Sequence, residues 1–423
     1  MKIDNTLLES MLSNVNLMQA CERVIRNGGS AGVDGMECNQ LSSYLQEHLE
    51  EIKEQIRNRK YKPQPVRRVE IPKDDGGVRY LGIPTVMDRC IQLAIVQVLE
   101  PIYEPKFSAY SYGFRPNRNA HMAIERVLEL LNEGYEWVVD IDLEKFFDNV
   151  HHDKLISLLM KDVKSGEIIS LIRKFLRSGI QLDDGYKEST IGTPQGGNLS
   201  PLLSNVMLNE LDKELESRGL NFARYADDCI ILVHSTKAAD RVMANVSKFI
   251  ENKLGLKVNM TKSKISKPNN IKYLGFGFFK MEKMWKAKPH MKSIQKIKDK
   301  LKKLTKRNWS IGMDTRLYKI RQVIVGWVNY YKIGMFKTIA KELDKMVRFR
   351  LRMCIWKQWK KVKTKYKALR KLGISKENAW MWANSRKGYA RCASSFLKIA
   401  ITNRLLAIRG LTSMLAQYQY KHV

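Results

Sequence analysis

With 423 residues, 44% of them hydrophobic, the chain can bury a large core and has the length of two or three domains. No apolar run approaches the roughly 18–20 residues that span a bilayer, and the start MKIDNTLLES carries acids early, so neither a membrane span nor a signal peptide is expected and the cytoplasm is. The formal net charge of +32 sits wholly at one end: residues 280–423 hold 38 Lys and Arg against 6 Asp and Glu, while residues 1–279 hold 37 of each. A field that concentrated calls for a polyanion, with nucleic acid favoured over an anionic membrane.

In chain order, the first 60 residues read as helical, with a Gly-rich break at NGGSAGVDG. VRRVEIPKDDGGVRYLGIP reads as two strands around a DDGG turn. Helical periodicity follows in DRCIQLAIVQVLEPIY and AHMAIERVLELLNEG, and EWVVDIDLEKFF reads as a buried strand running into a helix. GTPQGGNLSPLLSNVMLNELDKELESRG is a Gly-rich loop feeding a long helix, ARYADDCIILV a hairpin, and IKYLGFGFF a further strand. Beyond about residue 285 the pattern is helical and basic, with Ile294, Ile297, Leu301 and Leu304 at helical spacing. Strands mixed with helices first, and helices alone later, predict an α+β body with an all-α basic appendage. The cysteines Cys21, Cys38, Cys90, Cys229, Cys354 and Cys392 form no C-x-x-C pair, so they read as packing residues rather than a disulfide or zinc framework.

Chemistry concentrates on aspartates. Asp227 and Asp228 stand side by side at the expected hairpin turn, where Asp is common for reasons of turn geometry alone. Asp140 and Asp142, two residues apart at the end of a buried strand, share one face. Carboxylates brought together from separate strands suit a pair of Mg²⁺ ions about 3.5–4 Å apart, as in phosphoryl transfer. Divalent cations would make the neighbouring like charges tolerable.

YADD, taken with DIDLEKFFD, GTPQGGNLSPLLSN, SYGFRPNRNAH and RRVEIPKDDGGVRYLGIPTVMDR in order, resembles the reverse transcriptases encoded by bacterial group II introns, most closely the short, endonuclease-lacking forms associated with class C introns. The resemblance runs essentially the whole chain. It implies a right-hand polymerase: fingers and palm with an N-terminal extension over 1–285, a helical thumb or maturase domain over 286–370, and a basic DNA-binding domain over 371–423. Asp142, Asp227 and Asp228 are implied as catalytic and metal-binding acids around two Mg²⁺. The resemblance favours Asp142 over Asp140 because Phe147 then falls five residues on, where the family has a steric gate against a 2′-hydroxyl. Lys73 and Arg79 would clamp the incoming triphosphate. Gln195 would line the nucleotide pocket. Lys262 and Lys264 are the candidates for a general acid toward pyrophosphate. Tyr273, Leu274 and Gly275 resemble the segment that grips the primer.

Trp327, Tyr330 and Tyr331 in GWVNYYKIG read first as helix-packing aromatics and only second as RNA-stacking groups. Arg115, Arg348, Arg350, Arg352, Lys357, Lys360, Lys361, Arg386 and Lys387 are expected on nucleic acid. Longer relatives append a nuclease domain with paired Cys and His; here the last third has only His290, His422, Cys354 and Cys392. The expected activity is RNA-templated DNA synthesis from deoxynucleoside triphosphates. The expected partners are intron RNA, a primed RNA template and target DNA, with a second role in splicing and retrohoming. A domesticated chromosomal reverse transcriptase, for instance in phage defence, and a splicing-only RNA-binding maturase are the rivals.

Overall fold

The computed structural model describes residues 6–72, 76–182 and 185–420. The chain divides into two compact units, Met1–Lys267 and Pro268–Val423. Among the described residues the strands are β1 (Val66–Pro72), β2 (Val78–Ile83), β3 (Trp137–Ile141), β4 (Ile180–Leu182), β5 (Gly185–Lys187), β6 (Asn221–Tyr225), β7 (Asp228–Val233), β8 (Lys264–Ser266), β9 (Phe276–Met281) and β10 (Met284–Pro289). The first unit is α+β and the second is mostly helical.

Two sheets organise the first unit, in the orders β2-β1-β4-β5 and β6-β7-β3-β8. The second is antiparallel throughout and has the most buried strands of the chain. In β3 the run Trp-Val-Val-Asp-Ile suits a pleated, covered surface, and Val139 and Ile231 are fully buried. Each such side chain contributes about 1.5–3 kcal/mol by leaving water. Helix Val86–Tyr103 is apolar around most of its circumference because other helices surround it. Thr85 caps it, accepting from Asp88 N at 3.1 Å, while Asp88 accepts from Tyr61 Oη at 2.7 Å and Gln64 N at 3.0 Å. Asn16 fixes the N-terminal helices to it, donating to Ala94 O at 3.1 Å and accepting from Gln97 at 2.7 Å.

The second unit opens with the β9–β10 hairpin, turned by Glu282 and Lys283 at φ of 50° and 68°. Helices Met291–Leu304, Met313–Tyr331 and Lys337–Gln358 follow, then short helices to Tyr420. Ile297 and Leu301 are buried, with Ile294 and Leu304 at the margin of the same stripe. A separate apolar cluster of Trp356, Leu369, Cys392, Leu397 and Ile401 holds the terminal helices. Among the described residues no helix is long and apolar enough to cross a membrane. All six cysteines are buried free thiols.

Two local expectations are corrected. The segment after β3 is not a helix but a short 3-10 turn, Phe146–Asp148, entered through Lys145 in the left-handed region at φ 44°. Residues 284–289 continue as a strand because they pair with β9 before the helical pattern begins. The short strands β4, β5 and β8 carried no apolar alternation long enough to announce them.

Candidate active site

The site is built at the ends of β3 and the β6–β7 hairpin. β3 and β7 are antiparallel with Asp140 opposite Ile230 and Ile141 opposite Cys229. Asp142 follows directly on the last paired residue of β3, and Asp228 precedes Cys229 at the start of β7, so both acids stand at the same end of the paired strands. β6 and β7 close on Tyr225 opposite Asp228, leaving Ala226 and Asp227 as the two turn residues. The acids thus come from two neighbouring strands although 85 positions separate Asp142 from Asp227. Asp142 and Asp227 are half-buried and Asp228 exposed. The backbone at Asp142 is fixed on both sides: its N–H donates to Ser263 Oγ at 3.0 Å and its carbonyl accepts from Asn259 N at 2.8 Å.

Asp140 lies behind these groups, opposite Lys264 on β8. Burial pushes its carboxyl up to about 6, opposed by Lys264 and reinforced by Asp142. Lys264 is paired opposite Asp140, and Lys262 stands in the preceding turn; both lysines are exposed. Among the described residues no group of three His, Cys, Asp or Glu side chains is placed to hold a metal ion. The donors at the strand ends are carboxylates, hard oxygen ligands of the kind Mg²⁺ accepts.

The hairpin turn is held by groups that the sequence did not single out. Ala226 adopts φ 56°, a conformation usually left to glycine. Gly113 packs directly on it: a Cβ there would stand 2.2 Å from Ala226 N and 2.9 Å from Tyr225 C. Arg224 is completely buried. Its guanidinium donates to Asp212 Oδ1 at 2.7 Å, Ser111 Oγ at 2.7 Å, Asn205 Oδ1 at 3.1 Å and Ala226 O at 2.9 Å. Asn205 in turn donates to Gly113 O at 2.9 Å. The motifs around Gly113, Asn205 and Tyr225 thus meet on one buried ion pair. Burial raises the carboxyl of Asp212, and Arg224 opposes that shift. A charged pair that close in sequence to a turn reads as surface; only its zero exposure reveals its task.

Phe147 is half-buried with its ring 5.1 Å from that of Phe146, and its carbonyl accepts from Thr193 N at 2.6 Å. Gly192, at φ 90°, lies against the Phe147 and Asp148 carbonyls, where a Cβ would come within 2.9 Å. His152 contacts Gly192 O through Nε2 at 2.6 Å, and burial lowers its pKa. Gln195 O accepts from Gly82 N at 2.7 Å, so the Gly-rich loop is joined to β2, the strand that carries exposed Arg79. Lys73 lies outside the described residues.

In the second unit, Tyr273 and Phe276 exchange backbone hydrogen bonds of 3.0 and 2.8 Å around Leu274 and Gly275, both at positive φ. Tyr330 Oη donates to Leu274 O at 2.8 Å, Ser293 Oγ donates to Gly275 O at 2.9 Å, and Trp327 packs on Tyr331 and Phe336. Tyr331 is buried and Trp327 half-buried in this packing, while Tyr330 stays exposed.

Two residues expected on nucleic acid turn inward. Arg115 is buried and donates to Glu104 and to the Ser108 and Ser111 carbonyls, because the loop 108–115 must satisfy its own backbone acceptors. Arg352 is buried on Ile401 O at 2.8 Å and Asn403 at 2.9 Å. Arg350 is spent on Thr305 Oγ1 at 2.7 Å, and Arg348 stands 3.8 Å from Asp344. Lys357, Lys360, Lys361, Arg386 and Lys387 are exposed.

Comparison with known proteins gives this geometry a family. A model described as reverse transcriptase (RNA-dependent DNA polymerase) matches residues 71–278, and one described as the group II intron maturase-specific domain matches residues 294–373. Protein YkfC of Escherichia coli is 32% identical over 330 residues, covering 69% of this chain and 84% of YkfC. The group II intron-encoded protein LtrA of Lactococcus lactis is 38% identical over 212 residues, covering 50% of this chain and 35% of LtrA. A putative COX1/OXI3 intron 2 protein of Saccharomyces cerevisiae is 28% identical over 331 residues, covering 64% of this chain and 39% of that protein. The chain therefore spans most of YkfC but little more than a third of the two longer intron proteins.

Proposed function

Because the chain belongs to the group II intron-encoded reverse transcriptases, RNA-directed DNA polymerases with a maturase-specific domain, we propose that it copies RNA into DNA at Asp142, Asp227 and Asp228 and also binds its parent intron RNA to assist splicing and retrohoming. The reading is supported by the β3–β7 register, whose last pair, Ile141 and Cys229, is followed by Asp142 on one strand and preceded by Asp228 on the other. These carboxylates would hold two Mg²⁺ ions, which supply charge stabilisation at the attacking and leaving oxygens when bound. Phe147 would pack against the sugar and exclude a 2′-hydroxyl. Lys73 and Arg79 would receive the triphosphate, with Gln195 and its loop beneath the base pair. Lys264, paired opposite Asp140, and Lys262, in the turn before it, are the two exposed candidates for the general acid.

Fingers and palm over 1–285, a thumb over 286–370 and a basic DNA-binding segment over 371–423 belong to this proposal; the compact units themselves divide earlier, between Lys267 and Pro268. Tyr273, Leu274 and Gly275 would meet the primer. Exposed Lys357, Lys360, Lys361, Arg386 and Lys387 would contact phosphates of intron RNA or target DNA in the cytoplasm. Replacing Asp227 and Asp228 by Ala tests the reading. DNA synthesis on a primed RNA template should vanish, while intron RNA binding and splicing assistance persist. Synthesis that survives, or simultaneous loss of RNA binding in a folded variant, would contradict it.

A further inference from the structure

The terminal helices carry a concave site that the polymerase chemistry does not use. A cavity of about 860 Å³ lies between helices Lys376–Ala383, Tyr389–Ser394 and Phe396–Ala400. Its floor is the stacked pair Trp382 and Phe396, ring centroids 5.2 Å apart and planes 17° from parallel. Met381 and Ile399 form walls and are 59% and 64% exposed, unusual for apolar side chains with a packed cluster beside them. Arg386, Lys387 and Arg391 form the rim, all exposed. Residues 378–423 contain no Asp or Glu. An aromatic floor inside a wholly basic rim is complementary to a planar apolar group bearing a phosphate.

We propose that this cavity takes an unpaired nucleotide of a single strand, its base against the Trp382–Phe396 floor and its phosphate on Arg386, Lys387 and Arg391. A duplex keeps its bases stacked inside and would meet only the rim. The volume falls in the range of about 300–1,000 Å³ typical of small-ligand sites, far larger than an ion needs. The inference rests on the nucleic-acid reading of the terminal segment and narrows it from phosphate contact to capture of an unstacked base.

The test uses the full chain and short oligonucleotides carrying 5-iodouracil, as single-stranded DNA, single-stranded RNA and blunt duplex DNA. Irradiation and peptide mapping should join single strands to the segment holding Trp382 and Phe396, with duplex giving about tenfold less. The DNA and RNA arms identify which sugar the site prefers. Ile399→Glu, at an exposed position, should cut that crosslink about tenfold with primer extension unchanged. Arg391→Ala should weaken it without changing the fold by circular dichroism. Equal crosslinking by duplex, crosslinks only elsewhere, or indifference to both substitutions would overturn the pocket. Absence of any salt-dependent binding together with absent primer extension would instead defeat the underlying functional reading.

Discussion

Gly113→Ala is the sharpest structural perturbation of the site. Gly113 has an ordinary negative-φ backbone, so alanine brings no conformational penalty of its own. The added Cβ would stand 2.2 Å from Ala226 N, and ordinary contact begins at 3.4 Å. The two backbones must separate by about 1.2 Å, and neither can retreat freely. The segment 110–112 is bound to β6 through Tyr112 N to Arg224 O at 2.8 Å and Arg224 N to Tyr110 O at 3.0 Å. The displacement therefore falls on the turn carrying Asp227. A misplacement of about 1 Å costs on the order of 10²-fold in rate, whereas overpacking of this size costs about 1–3 kcal/mol of stability. Single-turnover primer extension at saturating nucleotide reads the first, and thermal melting the second. Gly326→Ala is the matched control, with nothing within 4 Å of its added Cβ. A Gly113→Ala enzyme within about threefold of the parent rate would refute the claim that the turn's position is set by this contact.

Other outcomes follow from the same structure. Asp212→Ala strands a fully buried Arg224 and should cost about 3–5 kcal/mol, read as a melting temperature lower by roughly 10 °C. His152 has its pKa held below 6.5 by burial, so the folded state resists its protonation. Its contribution is complete above pH 6.5 and is lost as pH falls through the lowered folded value; His152→Gln should remove that part of the stability–pH curve measured by denaturant titration. Replacing exposed Lys357, Lys360 and Lys361 by Ala should weaken intron RNA binding and flatten its salt dependence by about 2–3 in log–log slope, in filter-binding titrations.

The hairpins and the helical, basic second unit were legible because periodicity and turn residues report directly on local structure. DDGG and YADD each sit between strands that pair as expected, although Asp74 and Asp75 lie outside the described residues. What escaped depends on partners distant in sequence. Arg224, Arg115 and Arg352 look like solvated or phosphate-binding cations until their buried acceptors are seen. Phe146 and Phe147 suggested a helix, but Thr193 N, in the loop beside Gly192, takes the Phe147 carbonyl and the turn stops at Asp148. Gly113 carries no local signal at all, since its φ is ordinary and only Ala226 demands its missing side chain.

The central claim is that Asp142 and the Asp227–Asp228 turn share divalent cations. Fe²⁺ bound in place of Mg²⁺, with primed template and a nucleotide present, reduces added hydrogen peroxide to hydroxyl radicals that cut the backbone near the ion, ascorbate restoring the Fe²⁺. Mg²⁺-competable cleavage is expected at both the end of β3 and the β6–β7 turn, lost at both in Asp142→Ala. Cleavage at one of these segments alone, or undiminished at the turn in that variant, would contradict it.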